Sequence, residues 1–153
     1  MKSISVVNAA ATIVYEGEKI LVAKYLDADV PMWSMIGAKT SKLQIPVDCA
    51  TRHLRAALRL PIHRSSLSTL HECTWHDGKG TPKETIVKTM IFSTNVPLGT
   101  AEANLGRARN LGLLLKAVPP RELPALTPFK KRHRSCFEDL GIWPKLELVR
   151  TAA

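Results

Sequence analysis

The chain has few acidic residues, and its basic residues are in clear excess. Asp and Glu number 13 against 22 Lys and Arg in 153 residues, which gives a formal net charge of +9 at pH 7. Such a balance favours polyanions as partners, among them nucleotides, nucleic acid and acidic protein surfaces. Aromatic residues are also scarce, at 5% of the chain. This argues against a surface of alternating basic and aromatic side chains that stacks single-stranded nucleic acid.

Cysteines and long apolar runs are scarce as well. The three cysteines, Cys49, Cys73 and Cys136, are widely spaced and contain no Cys-x-x-Cys pair, which argues against a zinc site and a disulfide framework. No apolar run is long enough to span a membrane. Residues 1–7 lack the apolar region of a secretory signal. We therefore expect free thiols, no membrane association and a cytoplasmic location.

A chain of this length, with 45% hydrophobic residues, can form one domain with its own core. We expect a single domain over 1–153, with a core over about 4–140 and a short C-terminal extension. Strands are predicted over 4–15, 19–25, 33–36, 67–75, 85–96 and 110–118. Helices are predicted over 47–60, behind Pro46, and over 127–140, with Thr127 as N-cap, Pro128 at the first position and Gly141 at the end. Residues 38–44, and the stretch after 96 that holds Glu102, are predicted as loops.

The helix over 47–60 has three distinct faces. Apolar side chains recur every three or four residues, at Val47, Ala50, Leu54 and Leu58. Three arginines lie roughly opposite this stripe, at Arg52, Arg55 and Arg59. His53, Ala56 and Ala57 are spaced i, i+3 and i+4, so they are predicted to share a third face at the edge of a cleft.

The spacing around this helix resembles the Nudix box, G-x5-E-x7-R-E-U-x-E-E-x-G-U, in which U is aliphatic. The matching positions are Ala38, Gln44, Arg52, His53, Leu54, Ala56, Ala57, Arg59 and Leu60. The Glu-Leu-Pro-x-Leu segment at 122–126 resembles a later part of the same family. The resemblance spans about residues 4–140 and implies an α/β fold, an α/β/α sandwich with a mixed sheet between helices.

The departures from the family pattern all fall on its acids. In the family, the box carboxylates hold cations and help to orient the attacking water, and Mg²⁺ requires such oxygen ligands. Here the first Glu is replaced by Gln44, the next by His53 and the Glu pair by Ala56 and Ala57. One neutral carbonyl and one imidazole, which suits softer metals, do not make a site for phosphate chemistry. We therefore predict no metal site and no cofactor.

Two sets of candidate residues remain. The predicted ligand-binding residues are Trp33, Gly37, Gln44, Arg52 and His53. The predicted basic patch consists of Arg55, Arg59, Lys130, Lys131 and Arg134. Trp33 either lines the cleft or packs against the sheet. The basic residues near 130 form either a solvated helix face or a phosphate-contacting surface, which would be continuous with the arginines of the first helix if the two helices are neighbours.

Three functions stay open. The leading interpretation is a non-hydrolytic protein that binds a nucleotide-like or nucleic-acid anion, or acts as a regulatory module. The alternative is a divergent hydrolase of nucleoside diphosphate derivatives that uses Mg²⁺ or Mn²⁺ at relocated acids, Glu102 and Glu84, together with His53. The third is a docking domain, a homodimer through the first strand or residues 118–120.

Overall fold

The computed structural model describes residues 4–144. The strands are β1 (Ser5–Glu16), β2 (Lys19–Tyr25), β3 (Trp33–Ser34), β4 (Ile36–Thr40), β5 (Ser68–Asp77), β6 (Thr85–Val96) and β7 (Leu113–Val118). The helices are α1 (Pro46–Leu58), α2 (Thr100–Asn110) and α3 (Lys131–Asp139), with 3-10 turns at Arg64–Ser66 and Pro120–Ala125. Within this described part, no helix is long and apolar enough to cross a membrane.

The strands form one seven-stranded mixed sheet in the order β3-β2-β1-β6-β5, with β4 paired to β1 and β7 paired to β2. β1 and β6 run parallel along their whole length, and the other pairs are antiparallel. β1 pairs with β2 only over 14–16, beside the turn that joins them. Over 8–12 it pairs with β4 instead. The sheet therefore divides where β2 and β4 separate, and this division makes room for a cavity.

Alternation along β1 sends side chains into two cores, one on each face of the sheet. Ala10 and Val14 join the core under α1 and α2. Ala11 and Ile13 join the core under α3 and the turn at Pro120–Ala125. Helices thus cover both faces, and the predicted α/β/α sandwich is confirmed.

Three predictions of secondary structure were wrong. Residues 100–110 form helix α2 and not a loop, and the following strand begins at Leu113 and not at residue 110. The buried positions of α2 are small or polar, including Ala101, Asn104 and Ala108, so the helix carries little apolar periodicity. Residues 36–40 form strand β4, although 38–44 was predicted as loop. Tertiary pairing with β1, and not local propensity, makes this segment a strand.

The terminal helix is shorter than predicted. It begins at Lys131 and not at Thr127, and the Thr127–Pro128 peptide bond is cis. The residues before it lie against β3 because the Trp33 N–H donates to the Pro128 carbonyl (2.9 Å) and the Lys130 N–H donates to the Trp33 carbonyl (2.8 Å). These bonds hold residues 128–130 out of the helix. Gly141, with φ of 73°, follows the end of the helix as expected.

The expectation that all cysteines are free was wrong. Cys73 on β5 and Cys136 on α3 are joined in a disulfide, whereas Cys49 is free and buried. The partners are 63 residues apart in the sequence. They meet only because α3 covers the face of the sheet next to β5, which spacing alone does not reveal.

Candidate functional site

The box helix α1 is confirmed close to its predicted bounds, with Pro46 in its first turn. The predicted stripe is buried at Ala50, Leu54 and Leu58. The predicted shared cleft face is wrong. Ala57 is 2% exposed and belongs to the core, whereas Ala56 is exposed. Two of the box positions that carry acids in Nudix proteins therefore do not face one common space.

His53 is held in a buried network and does not project freely. Its Nε2 lies 2.8 Å from the hydroxyl of Tyr25. The same hydroxyl donates to the Gly37 carbonyl (3.0 Å) and accepts from the Gly37 N–H (3.1 Å). A phenol has one proton and two lone pairs. All three contacts are satisfied together when His53 carries its proton on Nε2 and donates it to Tyr25.

The protonation of this network is fixed by burial. Burial lowers the pKa of His53 below its ordinary value, so the imidazole is neutral at pH 7. Burial also raises the pKa of Tyr25 to about 12, against the opposing effect of its hydrogen bond to Gly37.

Gly37 is needed for the close approach of β4 to β1, because a Cβ there would lie 2.7 Å from the Ala10 carbonyl oxygen.

The other predicted ligand-binding residues lie apart from this network. The side-chain amide oxygen of Gln44 accepts a hydrogen bond from the Ser41 N–H at 2.9 Å. This bond closes the loop before α1. Arg52 is exposed on α1. Trp33 is half-buried and packs against the core under α3, with the Lys24 ammonium 5.9 Å from its ring centre. The structure does not bring the five predicted residues together.

A cavity of about 230 Å³ opens where β2 and β4 separate, between β1, β4, β6 and the start of α3. Its apolar lining is Ala9, Ala10, Ala11, Ala28, Val30, Met32, Met35 and Ala38. Its cationic and polar lining is Lys39, Thr89, Lys130, Arg132 and His133. Among residues 4–144, no aspartate or glutamate lines it. Tyr25 and Gly37 also line it, so the His53 network stands directly behind its wall.

The cationic side of this cavity is desolvated, and no carboxylate of the described residues lines the cavity. Burial, with Arg132 and Lys39 nearby, lowers the pKa of Lys130 to about 8. Burial also lowers the pKa of Arg132, and Asp77 opposes that effect. In residues 4–144 the buried Nε of Arg132 has no hydrogen-bond partner. An unpaired buried donor is costly.

His133 adds a neutral donor to the same wall. It is 5% exposed, and its Nδ1 accepts the Met35 N–H at 3.0 Å. Burial, with the positive charges of Lys130 and Arg132, holds its pKa well below the ordinary value. A neutral imidazole that accepts through Nδ1 carries its proton on Nε2, so His133 is a fixed N–H donor.

Neither a protein-family model nor a curated protein sequence matches this chain. Solved structures do match. RenU, a Nudix hydrolase from M. smegmatis, is 16% identical over 88% of this chain and 83% of its own, with a TM-score of 0.57. An Ap4A hydrolase from C. elegans is 14% identical over 89% of this chain and 96% of its own, with a TM-score of 0.55. NrtR from Shewanella oneidensis, in complex with a 27mer DNA, is 12% identical over 85% of this chain and 58% of its own, with a TM-score of 0.59. The chain has the Nudix fold.

The residues of this Nudix fold do not suit the divalent metal that the resemblance to the Nudix family implies. Within residues 4–144, no group of three or more His, Cys, Asp and Glu side chains is placed to hold a metal ion. The relocated acids are also dispersed. Glu102 is exposed in the first turn of α2, on an open groove beside the β1–β2 turn. Glu84 pairs with His76 at the β5–β6 hairpin. The structure does not bring these acids to His53.

The two basic helix faces of the Nudix fold are not continuous, because α1 and α3 cover opposite faces of the sheet. On α1, the Nε of Arg55 donates to the Ile62 carbonyl at 2.5 Å, so this arginine ties the helix to the next segment. Arg59 is exposed and ends the helix with φ of 52°.

The basic run on α3 is also divided. Lys131 and Arg134 face solvent, and Arg134 pairs with Glu138 at 2.9 Å. Lys130, predicted to share that face, lines the cavity instead because it lies before the helix. Sequence reasoning missed Arg132 and His133 as cavity residues. The only signal for them was the density of the basic run at 130–134.

Proposed function

We propose that this Nudix-fold protein binds the phosphate of a nucleotide-like anion in the cavity beside α3, without hydrolysing it. The observation that carries the proposal is the lining of this cavity, which holds Lys39, Lys130 and Arg132 and, among the described residues, no aspartate or glutamate. Lys130 and the N–H donor of His133 line the same cavity. Charge-assisted hydrogen bonds of this kind are the strong ones in phosphate recognition.

The size of the cavity limits which part of a ligand it encloses. Its volume of about 230 Å³ is below the roughly 300–1,000 Å³ of pockets that enclose a drug-sized ligand. A phosphate and the adjoining sugar carbons would fill it, and a base would extend along Val30 and Met32, which belong to its apolar lining. The ligand is therefore held mainly by its phosphate.

The donor set near α1 supports binding without hydrolysis. Metal-assisted phosphate hydrolysis needs anionic oxygen ligands. At the box positions this chain offers a neutral imidazole already hydrogen-bonded to Tyr25, a buried alanine and an exposed alanine. The cationic cavity contacts phosphate directly and needs no bridging cation.

Calorimetric titration with ADP in excess chelator tests this proposal. We expect saturable binding that is unchanged by chelator, and a loss of about ten- to hundredfold in Arg132→Gln, the effect of about 1.5–3 kcal/mol per charged hydrogen bond. Lys131→Gln is the matched control, because Lys131 is exposed on the same helix and does not line the cavity. Equal losses in the two variants, or no saturable binding, would overturn the proposal.

A second arm measures phosphate release from ADP and other nucleoside diphosphate derivatives with Mg²⁺ or Mn²⁺. Metal-dependent turnover that falls in Glu102→Gln would replace binding with the hydrolase alternative. Duplex DNA serves as a further titrant. Tight DNA binding that ignores Arg132→Gln but falls in Arg52→Gln would instead assign the ligand to the exposed face of α1.

A further inference from the structure

We infer that Lys130 is a nucleophilic amine that forms an imine with phosphorylated aldehydes, including phosphorylated sugars in their open-chain form, bound in the cavity beside α3. This inference rests on the proposed function, because Arg132 and His133 would hold the phosphate while the aldehyde carbon meets the amine. It adds a covalent step that phosphate binding alone does not require.

The backbone holds Lys130 at a fixed point of the cavity wall. Its N–H donates to the Trp33 carbonyl at 2.8 Å, and its own carbonyl accepts the N–H groups of His133 (3.1 Å) and Arg134 (2.9 Å). The side chain is half-buried and lines the cavity. Because the backbone is fixed, only the torsions of the side chain itself remain to be ordered when the amine meets a bound ligand.

The surroundings of Lys130 favour the neutral amine. The groups that face it are Lys39 on β4, Arg132 and the neutral His133 on α3, and the protonated Tyr25 on β2. None of them is an anion, and the apolar part of the lining cannot solvate an ammonium. Desolvation and neighbouring cations are the two means by which catalytic lysines are kept unprotonated.

The reaction balances without an added oxidant or reductant. The lone pair of the Lys130 Nζ attacks the aldehyde carbon, and the carbonyl π electrons move to oxygen. The oxygen takes up a proton as the nitrogen loses one, which gives a carbinolamine. Loss of hydroxyl with the second nitrogen proton, as water, forms the C=N bond. A lysine amine and an aldehyde thus yield one imine and one water, which leaves through the open mouth of the cavity.

The experiment uses the full chain and pyridoxal 5′-phosphate as the probe, with borohydride to trap the imine and peptide mass spectrometry to locate it. At pH 7.5 we expect Lys130 to be labelled roughly tenfold or more faster than Lys131, because the pKa of Lys130, lowered to about 8, leaves part of its amine neutral at this pH. The labelling rate should rise as the pH passes through about 8 and level off at higher pH, where the Lys130 amine is neutral. Lys130→Arg should remove this adduct, and Lys131→Arg should leave it unchanged.

Pyridoxal without phosphate separates the two proposals. If both hold, the phosphorylated aldehyde labels Lys130 faster than pyridoxal, and inorganic phosphate slows it. If phosphate binds calorimetrically but Lys130 is labelled no faster than Lys131, the imine inference fails and the proposed function stands. If the two aldehydes label Lys130 at the same rate and phosphate has no effect, the phosphate anchor itself is refuted.

Discussion

Replacing Arg132 with methionine should make the protein more stable and unable to bind its ligand. The Nε of Arg132 is buried without a hydrogen-bond partner within residues 4–144, and such an orphaned donor costs about 1–3 kcal/mol. Methionine keeps much of the apolar stem and removes the donor. The substitution also loses the attraction to Asp77, which for partly exposed charges is worth about 0–1 kcal/mol. The net expectation is a gain of about 1 kcal/mol in the free energy of unfolding.

Bound ADP should reverse this order of stability between Arg132→Met and the unsubstituted protein. At a free ADP concentration of about 100 times its dissociation constant, the unsubstituted protein gains about 2.7 kcal/mol by linkage, and Arg132→Met gains little. For a chain of this size, 1 kcal/mol corresponds to about 2–4 °C in Tm. Thermal unfolding at pH 7 should therefore give Arg132→Met the higher Tm without ADP and the unsubstituted protein the higher Tm with ADP. Lys131→Met should have the Tm of the unsubstituted protein in both conditions. An Arg132→Met protein less stable than the unsubstituted one without ligand would refute the reasoning, since the arginine would then be structural.

Three further results are expected. Phosphate affinity should decline as the pH rises through about 8, because the lowered pKa of Lys130 lets its ammonium deprotonate there. Calorimetry over pH 6.5–9.5 measures this decline. In Lys130→Arg the affinity should vary less with pH. Gly37→Ala should destabilise the fold by about 1–3 kcal/mol in urea unfolding, because its methyl group would press on a backbone oxygen of β1; a neutral Gly37→Ala would contradict the close approach of β4 to β1. Alkylation of the unfolded, unreduced protein should label Cys49 alone, and after reduction also Cys73 and Cys136; three labelled thiols before reduction would disprove the disulfide.

A sequence pattern predicts a helix or strand when the apolar residues of that segment recur at the spacing of its buried face. Helix α1 was predictable because Ala50, Leu54 and Leu58 form its buried stripe. Helix α2 was not, because small or polar residues such as Ala101 and Ala108 fill its buried positions and any turn or loop could contain them. Strand β4 is a strand because β1 lies beside it. Its own residues give little preference for that state.

The candidate site was harder to foresee for the same physical reason. Lys39 and Lys130 reach one cavity because β4 pairs with β1 and because residues 128–130 are hydrogen-bonded to Trp33. No spacing in the sequence encodes either arrangement. The box positions were visible in the sequence, but their roles were not, since burial separates Ala57 from Ala56 and a hydrogen bond turns His53 towards Tyr25.

Tyr25 joins the box helix to the cavity beside α3, and this contact gives the helix a role that needs no metal. Tyr25 lines the cavity, while its hydroxyl is fixed by His53 from α1 and by both backbone groups of Gly37 on β4. A neutral imidazole that donates suits this position better than a carboxylate, because a carboxylate would take the single Tyr25 proton and leave the Gly37 carbonyl without that donor. On this argument, His53 at the box position and the shape of the cavity wall are one feature: the helix whose acids bind metal in the Nudix family here supports the wall of the proposed phosphate site.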